Sequence, residues 1–206
     1  MLIKVCGMRE PGNIAAVASL CPDMLGFIFY PLSPRYAGNL LPEAVHVLPP
    51  DIQRTGVFVN EEEAVILGIA ERYRIDTIQL HGAESPEFCR KFRDKGFRVV
   101  KAVGIGGTED LEACGKYEGG CDMLLFDTKS PKHGGTGRGF DWELLGNYRG
   151  KLPFLLSGGI GPADALRIKA FGHTRLAGID LNSRFEIAPG VKDYELLSAF
   201  MEELRR

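Results

Sequence analysis

The sequence lacks the features that define several large classes of protein. Its five cysteines contain no CxxC pairing, which argues against a disulfide framework or a zinc knuckle and favours a reducing compartment. The 25 basic and 27 acidic residues nearly balance and form no basic run, so neither nucleic acid nor an anionic membrane is an expected partner. The N-terminus has no secretory hydrophobic region, and no apolar run approaches the length of a membrane span. We therefore expect a soluble, cytoplasmic protein.

Metal-binding and nucleotide-binding patterns are also missing. Of the four histidines only His81 is expected at the end of a strand, whereas a metal site would need several ligands at such positions. The glycine-rich segment 134–139 is neither a Walker loop nor a dinucleotide fingerprint. We expect no metal and no cofactor.

What the sequence does contain is a repeated alternation of short apolar strands and helices. The strands are predicted at Leu2–Cys6, Met24–Phe29, Thr55–Val59, Thr77–Leu80, Arg98–Val103, Asp122–Phe126, Phe154–Leu156 and Leu176–Asp180. Asn60 and Ser85 are predicted N-caps of the third and fourth helices. Eight consecutive units in 206 residues favour one domain, residues 1–206, folded as an α/β TIM barrel, (β/α)8. A doubly wound open sheet is the alternative.

In such a barrel, functional side chains lie at the C-terminal ends of the strands. Lys4 and Cys6 share the inward face of the first strand, because Ile3 and Val5 form the apolar face turned to the helices. A thiol beside an ammonium group ionises more easily, so Cys6 is a candidate nucleophile or general base. The alternative is a small buried hydrophobic residue.

Asp127 ends an apolar strand, where partial desolvation would favour the protonated carboxyl group and suit it to donate a proton. The segment after it combines Lys129, Lys132, His133 and Arg138 with four glycines. Its length and composition predict a lid over an anionic ligand, the alternative being a loop without a role.

Two further strand ends predict a phosphate site. Ser157, Gly158 and Gly159 lie between a strand and a helix that begins with Pro162, an arrangement that offers free backbone N–H groups or serves only as an ordinary turn. Asp180 ends the last strand, and Asn182 or Ser183 is expected to cap a short extra helical turn. The predicted phosphate ligands are Ser157, Gly158, Gly159, Asn182, Ser183 and Arg184.

Two other residues are candidate substrate ligands. Arg35 lies in a proline-restrained loop, where a guanidinium group can clamp a carboxylate or phosphate or simply be solvated. His81 shares the inward face of its strand with Gln79 and is a candidate acid, base or hydrogen-bond donor, or else a structural histidine.

Conspicuous segments stand in a fixed order along nearly the whole chain. They are Lys4-Val-Cys-Gly-Met8, Gly26-Phe-Ile-Phe-Tyr30, Ser33-Pro-Arg35, Gly56-Val-Phe-Val-Asn60, Gln79-Leu-His-Gly82, Asp127, Gly134-Gly-Thr-Gly137, Phe140-Asp-Trp142, Leu156-Ser-Gly-Gly-Ile160 and Pro189-Gly-Val-Lys-Asp193. In this order they resemble the phosphoribosylanthranilate isomerase family of tryptophan biosynthesis. The KxCG opening and the GGTGxxFDW segment are quite specific, whereas SGGI is shared with other phosphate-binding barrels.

The resemblance implies a TIM barrel and a cofactor-free Amadori rearrangement of N-(5-phosphoribosyl)anthranilate to 1-(2-carboxyphenylamino)-1-deoxyribulose 5-phosphate. It implies Asp127 as general acid and Cys6 as general base. Arg35 would bind the anthranilate carboxylate and Asp180 would lie near the anthranilate amine. His81 is a further expected substrate ligand. The expected partner is therefore a small phosphoribosyl substrate, with monomer and homodimer both open.

One residue departs from the family pattern. Arg184 occupies a position after Asp180 where the family commonly has glycine. Arginine disfavours a positive φ, so the phosphate loop must follow another path, or the guanidinium must add a contact to the phosphate. The remaining alternatives are another phosphosugar barrel enzyme and a non-catalytic barrel that binds a phosphate ligand.

Overall fold

The computed structural model describes residues 1–129 and 141–206, and in them eight parallel strands close into a barrel. The strands are β1 (Leu2–Cys6), β2 (Met24–Ile28), β3 (Gln53–Phe58), β4 (Thr77–Leu80), β5 (Arg98–Ile105), β6 (Met123–Thr128), β7 (Phe154–Leu156) and β8 (Leu176–Leu181). Each strand pairs with the next one along the chain, and β8 pairs with β1 to close the ring. The predicted TIM barrel is confirmed.

Helices surround the barrel. In the described residues they are α1 (Pro11–Ser19), α2 (Glu43–His46), α3 (Glu63–Tyr73), α4 (Pro86–Arg93), α5 (Thr108–Glu112), α6 (Ala165–Ala170) and α7 (Tyr194–Arg205). Short 3-10 helices cover Ala113–Tyr117, Trp142–Asn147, Pro162–Asp164 and Ser183–Phe185. Over the same residues, none of these helices is both long and apolar enough to cross a membrane.

The helix starts show where local sequence signals were sufficient. Ser85 caps α4 as predicted, since its hydroxyl accepts a hydrogen bond from the Phe88 N–H at 3.2 Å. The prediction for Asn60 is wrong, because α3 begins only at Glu63 and Asn60 has a left-handed φ of 50°. Its amide oxygen instead accepts from the Ala83 N–H at 2.7 Å, which joins the loops after β3 and β4.

The barrel interior contains an apolar core and several polar side chains. Its apolar part is a separate inner core of Met24, Val100, Ala102, Met123, Leu125 and Leu155. The outer core, between strands and helices, contains Ile3 and Val5, so Lys4 and Cys6 face inward as predicted. Cys6, Asp127 and Asp180 lie at or near the C-terminal ends of β1, β6 and β8.

A buried ion pair joins β5 to the loop after β4. Lys101 is almost completely buried, and its ammonium group lies 3.0 Å from the Glu84 carboxylate and 2.7 Å from the Gly82 carbonyl oxygen. Glu84 also accepts hydrogen bonds from the N–H groups of Asn60 and Gly82, each at 2.8 Å. Glu84 therefore ties together two loops that follow neighbouring strands.

We expect Lys101→Met to destabilise the protein by about 3–5 kcal/mol, because it leaves the Glu84 carboxylate buried without its cation. The matched control is Lys91→Met, which removes a lysine from an exposed pair with Glu63 and should cost less than about 1 kcal/mol. Urea unfolding of the two variants measures the difference. Equal losses would show that burial of the Lys101 pair adds nothing.

Candidate active site

The buried thiol of Cys6 lies at the end of β1, close to several charged groups. Gly26, its register partner on β2, leaves room for it: a Cβ at Gly26 would lie 2.7 Å from the Cys6 Sγ. Burial raises the pKa of the Cys6 thiol above its ordinary value, and the Asp180 carboxylate adds to this effect. The ammonium groups of Lys4 and Lys192 oppose the rise in the Cys6 pKa without cancelling it.

Asp180 is held from two sides beside this thiol. Its Oδ1 lies 2.8 Å from the Lys4 ammonium, and its Oδ2 accepts a hydrogen bond of 3.2 Å from the Ser157 hydroxyl. Burial lowers the pKa of Lys4, but Asp180 and Cys6 more than offset this, so the net pKa of Lys4 is raised. The Ser157 side chain, predicted as a phosphate ligand, is therefore hydrogen-bonded to Asp180.

A second polar group forms across β4 and β6. The Nε2 of His81 lies 3.4 Å from the Oδ2 of Asp127, and both side chains are mostly buried. The Gln79 amide lies 3.2 Å from the other ring nitrogen, Nδ1. The Thr128 N–H donates to Asp127 Oδ1 at 2.8 Å. The carboxyl group is therefore oriented by a backbone donor and lies next to the His81 ring.

The two glycines after β7 adopt a left-handed backbone conformation. Gly158 and Gly159 have φ values of 80° and 72°, which favour glycine. A Cβ at Gly158 would also lie 2.6 Å from the Thr128 Oγ1, so this loop packs directly against the end of β6.

The segment after β8 forms the predicted short helical turn, from Ser183 to Phe185. Asn182 stands at its N-terminus, but its side chain accepts from Lys192 and makes no capping bond. Arg184 is exposed, and its backbone φ is not positive. Its Nε lies 3.2 Å from the position of a Cβ at Gly161, so the side chain reaches the loop after β7. The arginine is accommodated without backbone strain.

Arg35 is mostly buried and forms an ion pair that the sequence did not indicate. Its guanidinium group donates to both carboxylate oxygens of Glu186, with a shortest distance of 2.6 Å. Glu186 opens a two-stranded antiparallel hairpin, β9 (Glu186–Ala188) and β10 (Val191–Lys192). The buried Lys192 ammonium lies 2.7 Å from the same carboxylate. The prediction of a solvated surface arginine as the alternative for Arg35 does not hold.

Part of the predicted lid falls outside the described residues. Lys132, His133, Arg138 and the glycines at 134, 135, 137 and 139 belong to that part. Lys129 is described and exposed, and its ammonium lies 2.7 Å from Asp110. Within residues 1–129 and 141–206, no group of three or more histidine, cysteine or acidic side chains is arranged to hold a metal ion.

The fold and the site define a (β/α)8-barrel enzyme. Its titratable side chains lie at the C-terminal ends of the strands, next to the glycine-containing loop after β7 and the short helical turn after β8. The family model for N-(5'-phosphoribosyl)anthranilate isomerase matches residues 3–203. The chain belongs to this family of tryptophan-biosynthesis isomerases.

Individual relatives agree with the family model over the full length of the chain. A protein of Phocaeicola vulgatus named N-(5'-phosphoribosyl)anthranilate isomerase is 48% identical, over 100% of this chain and 98% of its own. The phosphoribosylanthranilate isomerase of Thermus thermophilus has a TM-score of 0.86 at 30% identity, covering 100% of this chain and 98% of that one. A further isomerase structure, with reduced 1-(o-carboxyphenylamino)-1-deoxyribulose 5-phosphate bound, has a TM-score of 0.83 at 33% identity, with coverages of 100% and 98%.

The raised pKa of Cys6 predicts slow reaction of this thiol with iodoacetamide at neutral pH, because the thiolate is the nucleophile and the side chain is buried. Burial also raises the pKa of Cys89 to about 11 and that of Cys114 to about 12. The exposed Cys21 should therefore be alkylated first. Peptide mass spectrometry over time measures the order. Alkylation of Cys6 as fast as that of Cys21 would show an ionised, accessible thiol in the free protein.

Proposed function

We propose that this chain converts N-(5-phosphoribosyl)anthranilate to 1-(2-carboxyphenylamino)-1-deoxyribulose 5-phosphate, with Asp127 as general acid and Cys6 as general base. The observation that carries the proposal is the placement of one oriented carboxyl group and one buried thiol at the C-terminal ends of β6 and β1. The related isomerase structure that holds the reduced carboxyphenylamino-deoxyribulose phosphate supports the same substrate class for this chain.

In the first step Asp127 donates its proton to the furanose ring oxygen. The bond between that oxygen and C1′ breaks, and the nitrogen lone pair forms a Schiff base with C1′. His81 supports this step by donating from Nε2, which lies 3.4 Å from Oδ2 of the Asp127 carboxylate that remains. The Thr128 N–H does the same from the other oxygen.

In the second step the Cys6 thiolate removes the proton from C2′. The electron pair of that bond forms the C1′–C2′ double bond of an enolamine, and the Schiff-base nitrogen becomes neutral. The enolamine gains a proton at C1′ and loses the proton of the C2′ hydroxyl, which gives the ketone. Exchange with solvent returns Asp127 and Cys6 to their starting states. The charges of Lys4 and Lys192 support the thiolate form that this step requires.

The remaining predicted residues are proposed to bind the substrate. Arg35 binds the anthranilate carboxylate, and Asp180 lies near the amine, oriented by Lys4 and Ser157. The phosphate is held by backbone N–H groups of the loops after β7 and β8, which include Gly158, Gly159, Asn182 and Ser183. Arg184 adds a cation next to both loops, and His81 completes the substrate-binding set.

Cys6→Ala and Asp127→Asn are each expected to lower kcat by about 10²–10⁴-fold, because each removes one proton-transfer group. Both variants should still bind the product, since neither removes a proposed ligand of the carboxylate or the phosphate. Steady-state rates with substrate generated in situ, together with product binding by fluorescence, measure the two effects. Cys21→Ala is the matched control and should retain full activity, because this thiol is exposed and remote from the strand ends. Full activity of either site variant would refute its assigned role.

The raised pKa of Cys6 also predicts the pH dependence. A general base acts only when deprotonated, whereas the general acid Asp127 must be protonated, so the contribution of Cys6 is isolated by comparing two proteins. The ratio of kcat/KM in the wild type to that in Cys6→Ala should increase with pH through neutrality and up to or beyond the ordinary thiol pKa of about 8.5, because the titration of Asp127 affects both proteins alike. The pH profiles of the two proteins measure this ratio. A ratio that falls over the same range would contradict the assignment.

Arg184→Gly is expected to change kcat/KM by no more than about tenfold, a barrier change of about 1.4 kcal/mol, because backbone groups make the main phosphate contacts. Arg184→Glu should lower kcat/KM further by raising KM, since it places a like charge beside the phosphate. Kinetics of the two variants test the contribution of the side chain. A loss far above tenfold in the glycine variant would make Arg184 itself a main phosphate ligand.

A further inference from the structure

The Glu186 carboxylate, which neither the motifs nor the proposed mechanism uses, is the centre of a buried cluster with Arg35 and Lys192. Its Oε1 accepts from the Arg35 Nε at 2.8 Å, the Lys192 Nζ at 2.7 Å and the Gly190 N–H at 3.1 Å. Its Oε2 accepts from the Arg35 Nη2 at 2.6 Å. Burial raises the pKa of Glu186, but Arg35 and Lys192 more than offset this, and the net pKa is lowered. Glu186 is therefore ionised at neutral pH.

The cluster holds two cations and one anion in a site that water barely reaches. The exposed fractions of the Arg35, Glu186 and Lys192 side chains are 9%, 5% and 0%. Asn182 takes up one further ammonium proton of Lys192 at 2.8 Å, but it supplies no negative charge. With both cations protonated, the cluster has one positive charge in excess. Burial, aided by the charge of Arg35, lowers the pKa of Lys192 in spite of Glu186, and a buried excess charge is costly unless an anion balances it. An anionic group that reaches Arg35 supplies this balance.

The geometry also shows which edge of the guanidinium group an anion would meet. Glu186 occupies the edge formed by Nε and Nη2, and within residues 1–129 and 141–206 no group takes the Nη1 edge of the planar fork, which can meet a second partner. The aliphatic part of Arg35 is held as well, because a Cβ at Gly7 would lie only 2.7 Å from the Arg35 Cδ. Gly7 follows Cys6 directly, so the aliphatic part of Arg35 lies against the residue next to the proposed base.

We propose that Glu186, itself anchored by Lys192, is a positioning residue that fixes the Arg35 guanidinium group with its second edge turned to the substrate carboxylate. This inference rests on the proposed function, in which Arg35 binds that carboxylate. It makes Glu186 a determinant of specificity for aromatic amines that carry a carboxylate next to the nitrogen. Removal of the Glu186 charge does not free Arg35 for the substrate but lets the guanidinium group turn away from it.

The test compares two substrates in the wild type and in Glu186→Gln. One substrate is phosphoribosylanthranilate, and the other is its counterpart without the carboxylate, made from aniline and ribose 5-phosphate. Glutamine keeps the shape of the side chain, but its NH₂ group faces the donors of Arg35 and cannot accept from both. We expect kcat/KM for the carboxylated substrate to fall by at least about tenfold, mainly through KM, because a misplaced binding group costs this much or more. The value for the aniline substrate should stay within a factor of about three, since it has no carboxylate to misplace.

Three further variants make the result decisive. Ile187→Ala alters an exposed neighbour in the same hairpin and should leave the preference between the two substrates unchanged. Glu186→Asp keeps the charge and should retain more of the preference than the glutamine variant, which also provides a measurement if that variant does not fold. Arg35→Met should abolish the preference.

The outcomes separate this inference from the function beneath it. If Arg35→Met abolishes the preference and Glu186→Gln keeps it, the role of Glu186 is refuted and that of Arg35 stands. If both variants keep it, the role of Arg35 in the proposed function fails together with the inference. An equal loss for both substrates in Glu186→Gln would indicate only a structural role, and a gain with the carboxylated substrate would show that Glu186 competes with it. Either result overturns the proposal.

Discussion

The ion pair between Lys4 and Asp180 is the interaction on which the organisation of this site depends. The two residues are register partners across the seam where β8 meets β1, so the same pairing that closes the barrel brings their charges to 2.8 Å. A buried lysine is costly without its anion, and Asp180 is likewise costly without Lys4. The Ser157 hydroxyl, directly after β7, donates to the other oxygen of Asp180. The strand register that closes the barrel therefore also brings together the charges of the polar site.

The electrostatic environments of the two proposed proton-transfer groups differ. Cys6 lies among two ammonium groups and a carboxylate, and its burial outweighs the cations. Asp127 has only a histidine ring and a backbone N–H as close partners among the contacts described above. A neutral thiol and a carboxyl group in such surroundings can exchange protons with a substrate at modest cost if the bound substrate supplies a negative charge that balances the nearby cations. In the proposed mechanism the substrate carboxylate provides this negative charge when it binds Arg35.

The fold and the inward face of β1 could be predicted because both follow from periodicity along the chain. Ile3 and Val5 alternate with Lys4 and Cys6, and one apolar face fixes the other as polar. The partners of Arg35 could not be predicted in this way. Glu186 is the first residue of a hairpin of two very short strands, which have no apolar alternation to reveal it, and it lies 151 positions from Arg35. The prediction of Asn60 as an N-cap was wrong for a related reason, since its side chain accepts a hydrogen bond from Ala83 in the loop after β4 instead of capping a helix.

Strand order places the proposed site residues within reach of one small substrate in the proposed mechanism. In the strand order of the barrel, β7 and β8 lie between β6, which carries the proposed acid, and β1, which carries the proposed base. The loops that follow β7 and β8 form the proposed phosphate site. With neighbouring strands about 4.8 Å apart, the acid and the base stand on the order of 14 Å apart along the wall, and their inward side chains shorten that gap. A sugar anchored by its phosphate between β7 and β8 would have one face towards each group. Arg35, after β2, lies beyond the base on the same circuit, which is where an aromatic carboxylate at the far end of such a substrate would reach.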